Sequence, residues 1–213
     1  GSTIKVRGGA VLNVNAGTVI TGKNSYVGIE AVGNNTVVNV YDGAKIYQNG
    51  TSSYVGAIIG ASYNATLNIY GGEGKSAKCG IIVMSTGATI NVSGGEWTAN
   101  GDGTVAAGNN GVLVSQNNRN ESGWACKSIL NVTGGTFKGG YDCWGMGPGQ
   151  EPDDAQINIS GGNFNADPSS YIVSYYKSIE ENGVYNVVKN NITTEIKNLE
   201  GVPYEGDFFE NPI

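Results

Sequence analysis

The chain has 213 residues, no histidine and a formal net charge of −6, from 18 acidic against 12 basic side chains. Only Arg7 and Arg119 are arginines, so the concentrated basic face that nucleic acid or an anionic membrane demands is missing. No apolar run reaches bilayer length, and the lack of histidine removes the commonest general base and metal ligand; neither membrane insertion nor a cofactor is expected.

Thirty-five glycines against five prolines describe a turn-rich all-β chain. Six apolar-Asn-apolar triplets organise it: Leu12-Asn13-Val14, Val38-Asn39-Val40, Leu67-Asn68-Ile69, Ile90-Asn91-Val92, Leu130-Asn131-Val132 and Ile157-Asn158-Ile159. Each runs into a glycine turn, Ala16-Gly17 and Asp42-Gly43 in the first two, then Gly71-Gly72, Gly94-Gly95, Gly134-Gly135 and Gly161-Gly162. The asparagines are 26, 29, 23, 40 and 27 residues apart. A period near 25 with short strands is the mark of a stacked solenoid, and the length allows roughly eight coils.

The second coil predicts three strands, Tyr26 to Ala31, Val38 to Val40 and Ala44 to Tyr47, with Asn34-Asn35 and Asp42-Gly43 as turns. Period-two alternation turns Val27, Ile29 and Ala31 inward together, and likewise Val38 and Val40. Two positions past the turn glycine stand Val19, Lys45, Gly74, Trp97, Phe137 and Phe164, a column read as core-facing in most coils. Near-identical strands one coil apart, each with one inward face, predict an all-β, single-stranded parallel β-helix. Right-handed crossover is the physical default.

Cys79 and Cys143 fall in the column of Val27 and Val55 two coils apart, roughly 9.6 Å at the strand spacing and beyond disulfide reach. Cys126 and Cys143 come from adjacent coils, and their pairing stays open. The 40-residue step carries a polar, glycine-rich stretch over 98–125, read as an exposed loop ending near Trp124. A second turn-rich stretch over 141–154 holds Trp144. Loops of this kind are where solenoids place function.

From about residue 164 the repeat gives way to a closing segment, Gly161-Gly162-Asn163-Phe164 leading into Asp167-Pro168-Ser169-Ser170-Tyr171 and then Asn182-Gly183-Val184-Tyr185-Asn186-Val187. Over roughly residues 60 to 188 the chain resembles the parallel β-helix repeat domains, pectate-lyase-like in fold, of surface proteins from Gram-positive gut bacteria. The resemblance implies a right-handed helix, an exported or wall-associated location, and binding or adhesive roles. The domain is expected to span 1–189, with 190–213 a strand at Ile192 to Ile196 and an acidic tail. Gly1-Ser2 reads as a cloning remnant, so the lack of a leader says nothing about secretion.

With Leu12 and Val14 inward, Asn13 and Asn15 face out, and each coil repeats this. One outer face then carries six asparagines beside a column of Asn15, Tyr41, Tyr70, Ser93, Thr133 and Ser160. Stacked amides are able to bond from coil to coil as in cross-β ladders. Equally, Tyr41 and Tyr70 flanked by Asn39 and Asn68 offer an aromatic platform with amide donors and acceptors, a chemistry suited to a glycan. Tyr26 and Tyr54 form a similar pair. The expected role is therefore a non-catalytic, extracellular or cell-wall-associated domain that binds a glycan or a host or surface protein through the Tyr face or Trp124 and Trp144. A polysaccharide lyase or hydrolase is the alternative, from Asp142, Asp153 and Asp154 or from Glu73 and Glu96, which share a column. Asp-Asp stands here without the histidine and Arg-x-Lys of polygalacturonases. A stalk with no ligand is the third reading.

Overall fold

The computed structural model describes residues 2–22, 27–49, 57–77, 80–99, 114–116, 127–139, 156–191, 196–197 and 203–204. It is an all-β parallel solenoid of about four turns, built from three sheets. The first sheet stacks Ser2–Arg7, Val27–Val32, Ala57–Ser62, Gly80–Met84 and Val114–Gln116 in that order. The second stacks the six strands that carry the triplets, from Val11–Val14 to Gln156–Ile159. The third stacks Val19–Gly22, Lys45–Gln48, Glu73–Ser76, Glu96–Thr98, Thr136–Lys138 and Gly162–Phe164. Six second-sheet strands are fewer than the roughly eight coils that length divided by period allows. The 40-residue step places one strand in that sheet at each end, and the chain past Phe164 turns antiparallel.

Alternation in the triplets sets the second sheet. Val38, Val40, Leu67, Ile69, Ile90, Val92, Leu130 and Val132 are buried in one continuous core, while the asparagines between them lie on the outer face. All six asparagines are in register. A slip of one residue would bury every asparagine, so the pattern fixes the pairing. Turns between first and second sheets use asparagines in the left-handed region, Asn35 at φ 59° and Asn64 at φ 62°. The buried Thr36 hydroxyl ties that corner, donating to the Val32 carbonyl at 3.0 Å and accepting from the Gly9 N–H of the preceding coil at 3.1 Å.

Three expectations need correction. In the third sheet the inward column is Ile20, Ile46, Gly74, Trp97, Phe137 and Phe164, not one that begins with Val19 and Lys45. Val19 is 59% exposed, and Lys45 pairs with Glu73 on the outer face. From Asn39 to Ile46 the chain has one residue more than from Asn68 to Gly74, and the extra residue, Ala44, is itself buried. Counting from the turn glycine therefore slips by one in the first two coils. Second, Val27 is buried but outside the main core, clustering with Ala57 and Val83. Gly28 turns inward instead: a Cβ there would lie 3.1 Å from Ile46 Cγ2 and 2.5 Å from the Ile58 carbonyl oxygen. Third, Val114–Gln116, inside the stretch read as a loop, is a strand paired in parallel with Gly80–Met84.

The aromatic core column is as expected. Trp97, Phe137 and Phe164 are each 1% exposed, with Phe137 and Phe164 stacked at 5.1 Å. Gly74 belongs to this column because a Cβ would sit 2.3 Å from the Trp97 ring. The Trp97 indole N–H is satisfied by the Gly94 carbonyl at 3.2 Å.

The closing segment caps the solenoid. Val184–Lys189 pairs antiparallel with Gly162–Phe164, and Tyr176–Glu181 pairs antiparallel with Val184–Lys189 through the Asn182-Gly183 turn, whose two positive φ angles suit a tight hairpin. Val187 enters the core, with Tyr171, Ile172, Tyr176 and Tyr185 packed against it. An otherwise open apolar end and strand edge are thereby covered. In the tail, Ile196–Lys197 pairs with Pro203–Tyr204; residues 192–195 of the expected strand lie outside the described residues.

Candidate binding face and corner cleft

The outer face of the second sheet is the first candidate. Five side-chain hydrogen bonds of 2.9 Å link its six asparagines, each Nδ2 donating to the Oδ1 of the asparagine one coil nearer the N-terminus. The coil-to-coil ladder is therefore present. Asn39 and Asn68 each donate one bond and accept one within it. A primary amide has two N–H donors and two acceptor lone pairs, so each retains one of both for a ligand.

Two residues along each strand, the neighbouring column behaves differently. Tyr41 and Tyr70 are 38% and 52% exposed, and their rings stack with centroids 5.3 Å apart and planes 20° apart. That separation is close to the inter-strand spacing of about 4.8 Å, so the ring normals run along the solenoid axis. One face of each ring is covered by its partner. The other face of Tyr70 is turned toward the coil that carries Ser93, whose hydroxyl donates to the Ile69 carbonyl at 3.4 Å. Small side chains thus follow the aromatic pair along the column.

At the corner between the second and third sheets lies a cleft of about 480 Å³. Gly43, Gly72 and Gly95 line it together with Asp42, Lys45, Glu73, Glu96 and Thr136. The glycines have φ of 78°, 96° and 95°, a conformation side chains rarely adopt. A Cβ on Gly95 would also lie 2.4 Å from Trp97 Nε1. The cleft begins one residue past Tyr41 and two past Tyr70.

Lys45, Glu73, Glu96 and Thr136 occupy one register column. Glu73 and Glu96 are therefore neighbours across one strand step, as their shared sequence column implies. Glu73 is ion-paired with Lys75. The Lys75 hydrogen bond holds the Glu73 carboxyl below its usual value against the opposing effect of burial, with the charges of Lys75 and Lys45 adding to it; the same bond raises Lys75. A glutamate held ionised is a good hydrogen-bond acceptor and a poor proton donor.

Trp124 and Trp144 lie outside the described residues, as do Tyr26, Tyr54, Cys79, Cys126, Cys143, Arg119, Asp142, Asp153 and Asp154. Arg7 lies in the first sheet, paired with Val32. Among the described residues no group of three His, Cys, Asp or Glu is placed to hold a metal ion, and no helix is long and apolar enough to cross a membrane. Sequence reasoning missed the cleft because the slipped column put Lys45 in the core; aligning coils on the asparagine and allowing for Ala44 would have placed Lys45 beside Glu73. No protein-family model, curated protein or solved structure matches the chain.

Proposed function

We propose that the chain is a non-catalytic extracellular surface domain, of the pectate-lyase-like kind found in Gram-positive gut bacteria, that adheres to its target by binding glycan on the second-sheet face. One observation carries the reading: the exposed Tyr41–Tyr70 stack beside the asparagine ladder. The uncovered face of Tyr70, beside the small Ser93, gives the C–H face of a sugar ring something to pack on, and the remaining amide capacity of Asn39 and Asn68 suits its hydroxyls. The closing segment's resemblance supports the wall-associated location.

The lyase or hydrolase alternative draws its support from the adjacency of Glu73 and Glu96. A hydrolase needs one carboxyl protonated, and Lys75 works against that at Glu73. The test is retention of the purified domain on an array of plant, mucin and microbial glycans, with and without calcium, reading chain length of the polysaccharide as well. Retention without shortening, lost in Tyr41→Ala/Tyr70→Ala, is expected. Shortening of any chain, or retention indifferent to both tyrosines, would overturn the reading.

A further inference from the structure

We infer that the corner cleft is the second half of this site: it receives the hydroxyls of a neutral glycan chain lying along the solenoid axis and turns polyuronates away. The inference rests on the tyrosine platform being a glycan surface.

Four features of the cleft converge on this ligand class. Its direction is set by the register, since Lys45, Glu73, Glu96 and Thr136 come from four successive strands. Three strand steps cover about 14 Å at about 4.8 Å each, so an extended chain along the axis meets a new polar side chain at every step. Its lining includes Gly43, Gly72 and Gly95, which place no side chain between a ligand and the main chain there.

Its chemistry is that of a hydroxyl acceptor. Ionised carboxylates take O–H donors in short, charge-assisted bonds, and Thr136 adds a group that both donates and accepts. Its charge sets the selectivity: three carboxylates, Asp42, Glu73 and Glu96, stand around the cleft against Lys45 and the Lys75 ammonium ion-paired with Glu73, a wall that stays net negative. A polyuronate would bring further carboxylates to that wall and be repelled, whereas a neutral chain pays no such penalty. The uncovered face of Tyr70, turned along the axis, then takes a terminal or branch sugar ring while the cleft holds the hydroxyls of the chain.

The experiment measures affinity of the whole chain for galactomannan, xyloglucan and mixed-linkage β-glucan as neutral probes, and for polygalacturonate as the acidic one. It compares wild type, Tyr70→Ala, Glu96→Ala and Glu73→Gln/Glu96→Gln, each first checked for an unchanged circular dichroism spectrum. Glu96 is exposed, so its substitution leaves the fold in place. At least one neutral probe is expected to bind, with polygalacturonate weaker. Glu96→Ala is expected to lose roughly tenfold on the neutral probe, the scale of a hydrogen bond to a charged group. The double amide variant is expected to narrow the gap between neutral and acidic probes severalfold. If Tyr70→Ala loses affinity while both glutamate variants bind as wild type does, the cleft is no part of the site and the platform stands. If the glutamate variants lose affinity and Tyr70→Ala does not, the joint site is overturned. Wild-type preference for polygalacturonate overturns the charge argument, and no binding to any probe overturns the platform together with the inference.

Discussion

Two columns run side by side down the outer face of the second sheet, and they teach different things. One has asparagine in all six strands, with each amide bonded to the next. The other reads Asn15, Tyr41, Tyr70, Ser93, Thr133 and Ser160 and places its two aromatic rings together in solvent. A ladder works only if every coil supplies the same group, so uniformity there has a structural cause. The tyrosine column is free to vary, because the packing of one coil on the next does not require an aromatic ring there. The third-sheet column of Val19, Lys45, Glu73, Glu96, Thr136 and Asn163 varies in the same way, and it borders the cleft.

The sharpest way to break the contrast is to disturb both columns at once. A Cβ on Gly94 would lie 2.4 Å from the Tyr70 carbonyl oxygen, which is backbone and has nowhere to go. Gly94→Ala is expected to cost about 3 kcal/mol, measured as the urea midpoint, by forcing adjacent coils apart. Next in size is Asn91→Ala, which removes one bond to Asn68 and one from Asn131. Since water reaches this half-buried face, the expected loss is about 1–2 kcal/mol, and an equal loss from Asn91→Gln would show that ladder geometry, not amide chemistry alone, is required.

Tyr70→Ala should do the reverse. The exposed stack contributes about 0.5–1.5 kcal/mol to stability, at the low end here because both rings already meet water, while glycan affinity falls far more. Smallest is Glu73→Gln. The folded-state carboxyl sits below its usual value, so the stability it adds is present above that value and fades as pH falls from about 4.5 through the folded-state value. Both partners are partly exposed, which keeps the effect small and salt-sensitive. The variant should lose that small increment at neutral pH, flatten the acid limb of stability measured from pH 6 to 3, and converge with the wild type at the acid end.

Much of this was legible in the sequence, for a physical reason: in a solenoid every coil meets the same constraint. The triplets fixed the second sheet and its ladder because a side-chain period of two leaves one register that buries Val38, Leu67 and Ile90. Trp97, Phe137 and Phe164 declared a core column by size. What failed was local. Thr18 and Ala44 each add a residue to their coil, so a column counted from the turn glycine runs through Val19 and Lys45 and hides the Lys45–Glu73 neighbourhood. At Gly28 the absence of a side chain lets the strand turn a bare position inward, which hydrophobic alternation has no way to signal. The cleft is assembled from unlike residues of successive coils, and only register brings them together. Trp124 and Trp144, the other expected contacts, lie outside the described residues.

The most direct test of the division between a structural column and a binding column is titration calorimetry of one retained neutral glycan. Wild type, Tyr41→Ala/Tyr70→Ala and Asn91→Ala would be compared, with unfolding midpoints taken on the same samples. The account predicts that the tyrosine pair loses at least about tenfold in affinity with little change in midpoint, while Asn91→Ala lowers the midpoint and keeps its affinity. Undiminished affinity in the tyrosine variant, or a loss confined to Asn91→Ala, would contradict it.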